Sequence, residues 1–296
     1  YRRQRQMCIR DRVALRDGVR AVLIPSVLEL NGKVRVSVEV VDPRSGQTVY
    51  TRFADGRGLD SILASTDHVV AALRTDLGEA LRDVGADQRP LPTVATANLD
   101  ALHAYAKGVD ATAAARYDDA LMFFEQATRL DPAFAFAYVG QMNIQHAKGN
   151  LEQAAALYRK AVSQRTHLTA RDQLYLDAWA ADFEGAPPAR IADKWRMLTE
   201  LYPDDPAGWM NYSMVQFAQG DYDGALAATQ PLLGRQHSRR ALVLAFVARI
   251  QLARGEASAA EAALRGARLH PGWNGDGMEP VIAALAGDFD AANAGF

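Results

Sequence analysis

From residue 99 onward one pattern of small and aromatic residues returns about every 34 positions, and no other feature of the 296-residue chain restricts its fold so tightly. "RYDDALMFFEQATRLDP" carries Ala120, Phe124, Ala127 and Pro132. Thirty-four residues later "NLEQAAALYRKAV" carries Ala154, Tyr158 and Ala161. A third copy, shifted by three, is "IADKWRMLTELYP" with Ile191, Trp195, Leu198 and Pro203. "GDYDGALAATQPLL" follows with Ala225, Thr229 and Leu232, then "GEASAAEAALRGARLHP" with Ala260, Leu264 and Ala267, then "GDFDAANAGF" with Ala292 and Phe296.

The spacing has a physical cause. Small residues let two antiparallel helices approach closely, and the aromatic four residues on fills the gap to the next pair. Gly149, Gly220, Gly255 and Gly287 stand where one helix must end and turn. Tyr138 and Trp209 occupy an aromatic position of the first helix, and Gly108, Ser213 and Ala248 its small position. This pattern resembles the tetratricopeptide repeat (TPR). The resulting expectation is a mostly α protein, a TPR helical-hairpin solenoid over 99–296, with five repeats and a truncated sixth. Phe296 falls at the aromatic position of that sixth copy, so the repeat is expected to be incomplete and its last helix to fray.

The N-terminal third has another period. "KVRVSVEV" alternates Val34, Val36, Val38 and Val40 with Lys33, Arg35, Ser37 and Glu39, the signature of a half-buried strand. Asn31-Gly32 before it is a strong two-residue hairpin signal, which pairs the strand with 21–30. "DPRSG" (42–46) predicts a second turn and "QTVYTRFA" (47–54) a third strand. Leu63, Val70, Leu73, Leu77, Leu81 and Val84 then recur at helical spacing through 60–85, with Gly85 as a closing residue. Because 21–28 is apolar on both faces, a further strand or layer is expected upstream of it. Residues 86–98, with Pro90 and Pro92, read as an extended linker.

Residues 1–12, "YRRQRQMCIRDR", stand apart. Residues 1–20 hold seven Arg against Asp11 and Asp17, while the whole chain carries a formal charge of −2. They read either as a basic arm for phosphate or acidic lipid or as non-native, adapter-like sequence; the second is preferred and the tail is set aside. Cys8, the single cysteine, lies within it, so neither a disulfide framework nor a thiolate metal site is expected. The charge balance gives no reason to expect a nucleic-acid partner. No apolar run reaches the 18 residues of a membrane span; "ALVLAFVARIQLA" is broken by Arg249.

"DGVRAVLIPSVLELNGKVRVSVEVVDPRSGQTVYTRFADG" followed by a Leu-rich helix resembles the second half of a TolB-like (FlgO-like) α/β domain, over 13–85. Together with "TANLDALHAYAKG" it is similar to the C-terminal region of putative peptide modification system cyclases of gammaproteobacteria. The resemblance implies a partial α/β domain whose first strand and helix are absent. It further implies a nucleotide cyclase-like (class III adenylate/guanylate) domain and a membrane span upstream in the parent, and a periplasmic position for 13–296. A cytoplasmic setting is the alternative where the parent lacks a span. No catalytic residue carries over, since the cyclase aspartates would lie upstream. A free-standing envelope TPR scaffold or lipoprotein, and the sensory half of a winged-helix regulator or protein kinase, are the competing readings.

Motifs for chemistry are scarce. The histidines at 68, 103, 146, 167, 237 and 270 show no HExxH or paired-ligand spacing, and there is no G-x-S-x-G, Walker loop or G-x-G-x-x-G. "GWNGDGMEP" (272–280) reads as an inter-repeat loop, "NYS" (211–213) lies in a predicted helix, and Asp204-Asp205 reads as a helix start. The expectation is a chain with no cofactor, no metal and no catalytic site of its own. Its function is then to bind a protein or peptide on the exposed face of each first helix. Counted by the repeat, that face comprises Tyr105, Val109, Phe136, Asn143, His146, Leu176, Met210, Met214, Phe217 and Arg249. Only Asn143 and Arg249 there suit a carboxylate clamp, so an apolar segment is the better fit. The alternative is that these residues pack on neighbouring repeats.

Overall fold

The computed structural model describes residues 21–76, 90–114, 116–233 and 240–270. The expectations for Leu77, Leu81, Val84, Gly85, for 272–280 and for the sixth repeat lie outside these residues. The chain divides into two compact units at Leu102–His103.

The described residues of the first unit form a three-stranded antiparallel meander, β1 (Val22–Leu30), β2 (Lys33–Val41) and β3 (Thr48–Arg57), in the order β1-β2-β3, followed by helix α1 (Ser61–Asp76). Asn31 and Gly32 both have positive φ, 52° and 74°, which matches the twist of the two-residue hairpin joining β1 to β2. Val34, Val36, Val38 and Val40 are buried, as their alternation predicts, and Val69 and Leu73 of α1 pack with the last three. Arg35 grips Asp55 on the opposite face with two hydrogen bonds of 2.6 and 2.7 Å, and the Asp55 carboxyl is held below the usual carboxylate range by them. Val70, expected on the buried stripe of α1, is 46% exposed. A helix about 10 Å wide covers about two strands spaced 4.8 Å apart, and α1 lies over β2 and β3.

Leu91–Val94 forms a short helix, α2, where extended backbone is expected. A proline is at ease in a helix's first turn, having no N–H to leave unsatisfied. The Leu91 N–H also donates to the Asp67 carboxylate at 3.0 Å, which fixes the turn against α1.

Among the described residues five helical hairpins follow: α3 (Leu99–Ala113) with α4 (Tyr117–Leu130), α5 (Ala135–Ala147) with α6 (Leu151–Ser163), α7 (Ala170–Phe183) with α8 (Pro188–Leu201), α9 (Pro206–Ala218) with α10 (Tyr222–Leu233), and α11 (Arg240–Ala253) with α12 (Ala257–Arg268). The close helix–helix approaches run between sequence neighbours, so the array is a TPR-type solenoid. Gly149, Gly185, Gly220 and Gly255 end the first helix of four hairpins, each with φ between 67° and 79°. After each, an N–H reaches back to a carbonyl five residues earlier, as from Asn150 to Gln145 and Asp221 to Gln216, closing the helix as a Schellman turn.

The residue before the turn glycine also clips adjacent hairpins. Lys148 pairs with Asp118, Gln219 donates to the Pro188 carbonyl at 3.2 Å, and Arg254 pairs with Asp223 at 3.1 Å. Each partner lies in the first turn of the preceding second helix.

Ala120, Ala127, Ala154, Ala161, Ala225, Ala260 and Ala267 are all 0% exposed, which is the packing the repeat predicts. We expect Ala120→Trp and Ala225→Trp each to destabilise the protein by about 1–3 kcal/mol through overpacking. Urea denaturation followed by circular dichroism checks this; two neutral substitutions would mean that the helix register is wrong.

Hairpin three departs from the others. Trp179 lies 34 residues before Ser213 (213 − 34 = 179), so it takes the small position of its repeat, and Ile191 replaces the facing alanine. The backbones of α7 and α8 accordingly approach closely over a shorter stretch than in hairpins two, four and five. The space holds Trp179, Trp195 and Tyr175, whose rings meet edge to face. The three-residue shift in the sequence is a short 3-10 turn, Arg165–His167, held by a two-pronged Arg165–Asp177 pair of 2.5 and 2.9 Å.

Candidate functional site

A pocket of about 250 Å³ opens between α3, α5, α7 and the start of α9, the first helices of hairpins one to four. Its floor is the ring of Phe124 from α4. That ring slots between two glycines: a Cβ on Gly108 would come within 2.6 Å of it and one on Gly140 within 2.8 Å. Two neighbouring first helices are thus set close together with an aromatic surface beneath them. Tyr105 leans on this ring at 5.4 Å between centroids, on Phe134 at 5.0 Å and on Phe136 at 6.3 Å.

The polar groups of the pocket come mainly from helix starts. The Tyr175 hydroxyl donates to the Asn143 side-chain oxygen at 3.2 Å, linking α7 to α5 across the wall. Asp172 is 7% exposed; it receives the Thr169 hydroxyl and both Nε and Nη2 of Arg171, at 3.1 and 3.0 Å. Thr169 in turn caps α7 by accepting the Asp172 N–H at 3.3 Å. Asp205 caps α9, accepting the N–H groups of Ala207 and Gly208 at 3.3 Å each, as the sequence predicts for a helix start. The carboxylates are therefore engaged in structure. What the pocket offers a ligand is aromatic and aliphatic surface with an amide and a phenol at its edge.

Of the ten residues expected on the binding face, Tyr105, Val109, Phe136 and Asn143 meet in this pocket. Leu176 does not: it is 0% exposed and sits in the central core. The preceding residue, Tyr175, faces the pocket instead, because successive positions on a helix point about 100° apart. His146 lies outside it, between α5 and α7, with Nε2 3.3 Å from the Asp182 carboxylate and its ring edge-on to Trp179 at 4.7 Å. Met210 and Phe217 are half-buried against Phe246, and Met214 and Arg249 are exposed further along the array. Arg171, Asp172, Tyr175 and Asp205 were not selected from the sequence. The Thr169-x-x-Asp172 spacing is a capping signal that places a helix start there.

Among the described residues no three His, Cys, Asp or Glu side chains converge as a metal site would require, and no helix is long and apolar enough to cross a membrane.

No protein-family model matches the chain, and no curated protein matches it. Solved structures similar to it include a thermophilic TPR protein of Thermus thermophilus, at 17% identity and a TM-score of 0.44, with 66% of this chain and 99% of that one covered. A tetratricopeptide repeat protein from Parabacteroides merdae is similar at 11% identity and a TM-score of 0.44, with 78% and 89% covered. The APC/C hetero-tetramer Cut9-Hcn1 is similar at 18% identity and a TM-score of 0.45; the match covers 75% of this chain and 39% of that one.

Proposed function

We propose that the helical array is a non-catalytic protein-binding scaffold whose ligand is an extended apolar segment anchored in the pocket of hairpins one to three. The observation that carries this is the convergence of Tyr105, Val109, Phe136, Asn143 and Tyr175 around a cavity of about 250 Å³, room for one large side chain. Aromatic walls supply apolar contact at little entropic cost, and the Asn143–Tyr175 pair offers hydrogen bonds to a peptide backbone. Asp172 is already bound by Thr169 and Arg171, and Asp205 already caps α9, which favours recognition over acid–base work.

The wider setting of the proposal rests on the sequence resemblance: a regulatory half of a bacterial signalling protein, a nucleotide cyclase-like protein of a peptide modification system, acting on an upstream domain of the same polypeptide from the periplasmic side. The order of hairpin, strand, helix and repeat in the chain supports it. Sequencing the gene upstream tests this part; a winged helix there would move the parent to transcriptional control.

The binding site itself is tested with peptides selected on the full chain from a random library. We expect Val109→Arg, which puts a charge into the pocket, to weaken the selected peptides about tenfold or more, near 1.4 kcal/mol, and Met214→Ser to leave them unchanged. Equal binding to the wild type and Val109→Arg by fluorescence anisotropy would place the site elsewhere.

A further inference from the structure

The face of the small sheet turned away from α1 carries a second candidate surface. Strand register lays its side chains out in rows across β1, β2 and β3. At the hairpin end the first row is Leu30, Lys33 and Arg57, and the second is Leu28, Arg35 and Asp55. These six, together with Val34 and Gly56 of the row between, line a hollow of about 560 Å³ at the hairpin end.

Two properties of the rows are unusual for a merely solvated face. Leu28 and Leu30 are 63% and 67% exposed, side by side on the outermost strand among the described residues, where an isolated sheet gains nothing from them. Lys33 and Arg57 stand directly opposite each other on neighbouring strands, a like-charge pairing that costs stability. Among the described residues neither makes an ion pair, because the one carboxylate of the hollow, Asp55, is taken bidentately by Arg35. Three cations against one carboxylate leave a charge of +2 beside a shelf of two leucines.

The geometry points to a docking surface for an extended protein segment in which an aliphatic side chain and a carboxylate alternate on one face. One aliphatic side chain covers the shelf of Leu28 and Leu30, and the carboxylate sits between Lys33 and Arg57, relieving their repulsion. The dimensions agree. Residues i and i+2 of an extended segment point the same way about 7 Å apart, and Leu30 and Arg57 lie two strand spacings, about 10 Å, apart, with Lys33 between. Charge complementarity of this kind adds specificity and association rate, and it weakens with salt.

The test uses the full chain and a fluorescein-labelled peptide in which serine alternates with leucine, glutamate, leucine and glutamate; a second peptide carries lysine in place of glutamate. Anisotropy at low salt is expected to show binding of the glutamate peptide at least tenfold tighter than the lysine peptide, with the difference shrinking in 0.5 M salt. In the double variant Lys33→Glu, Arg57→Glu the preference is expected to reverse. That variant keeps two like charges opposite each other, so the fold is disturbed no more than in the parent, and circular dichroism verifies it. Equal binding of the two peptides, or a preference unchanged in the double variant, overturns the proposal. So does binding of phosphatidylglycerol vesicles without binding of either peptide, which would make the surface a lipid site.

Discussion

Phe124→Ala is expected to cost about 3–5 kcal/mol, among the largest losses available to a single side chain in the array. The ring is 4% exposed, forms the floor of the groove pocket and spaces two first helices. The mechanism makes a sharper test than the single value. Gly108→Ala and Gly140→Ala each push a Cβ to within 3 Å of the ring, so each destabilises when Phe124 is present. With Phe124→Ala in the background the same substitutions fill part of the cavity and become neutral or favourable. A double-mutant cycle by urea denaturation is therefore expected to give a coupling well above 0.5 kcal/mol. Additive effects would mean that the glycines answer to helix propensity and not to the ring.

Trp195→Ala is the second large effect, again about 3–5 kcal/mol. Trp195 is 2% exposed and meets Tyr175 at 5.3 Å and Trp179 at 5.8 Å, both edge to face. In hairpin three these rings fill the space that is closed elsewhere by an alanine of the second helix, and α7 and α8 approach closely over only a short stretch. Removing one leaves a cavity between helices whose backbones are not in position to close it. Trp179→Phe is the contrasting variant. Among the described residues the buried Trp179 Nε1 has no hydrogen-bond partner, so phenylalanine removes an unsatisfied N–H while keeping most of the apolar contact. We expect it to lie within about 1 kcal/mol of wild type. A loss as large as that of Trp195→Ala would show that the indole N–H has a partner in solution.

Much of this architecture is legible in the sequence because it follows from local geometry. The alanines 34 residues apart, the turn glycines and the alternating valines of β2 each state a backbone conformation and a buried face at once. So does Asn31-Gly32, since positive φ at two successive residues has few other uses. Where local rules compete, the sequence is silent. Pro90 and Pro92 suit both an extended linker and a helix start, and the Asp67 bond to the Leu91 N–H decides for the helix.

The candidate site was half legible for the same reason. Tyr105, Val109, Phe136 and Asn143 follow from counting along uninterrupted repeats. The count slips by one at Leu176, beyond the 3-10 turn at Arg165–His167, and one residue is enough to exchange a core position for a groove position. Asp172 and Asp205 entered the pocket only as residues of two helix starts from different hairpins, Asp205 as the cap of α9 and Asp172 as the partner of the Thr169 cap of α7. The sequence alone determined the repeat, its buried faces and the sheet's alternation, because those depend on residues a few positions apart. Only the tertiary structure decided which first-helix side chains meet, that α7 stands off from α8, and that Lys33 faces Arg57. Those depend on how far apart packed elements lie, and that distance is set by side chains on both partners together.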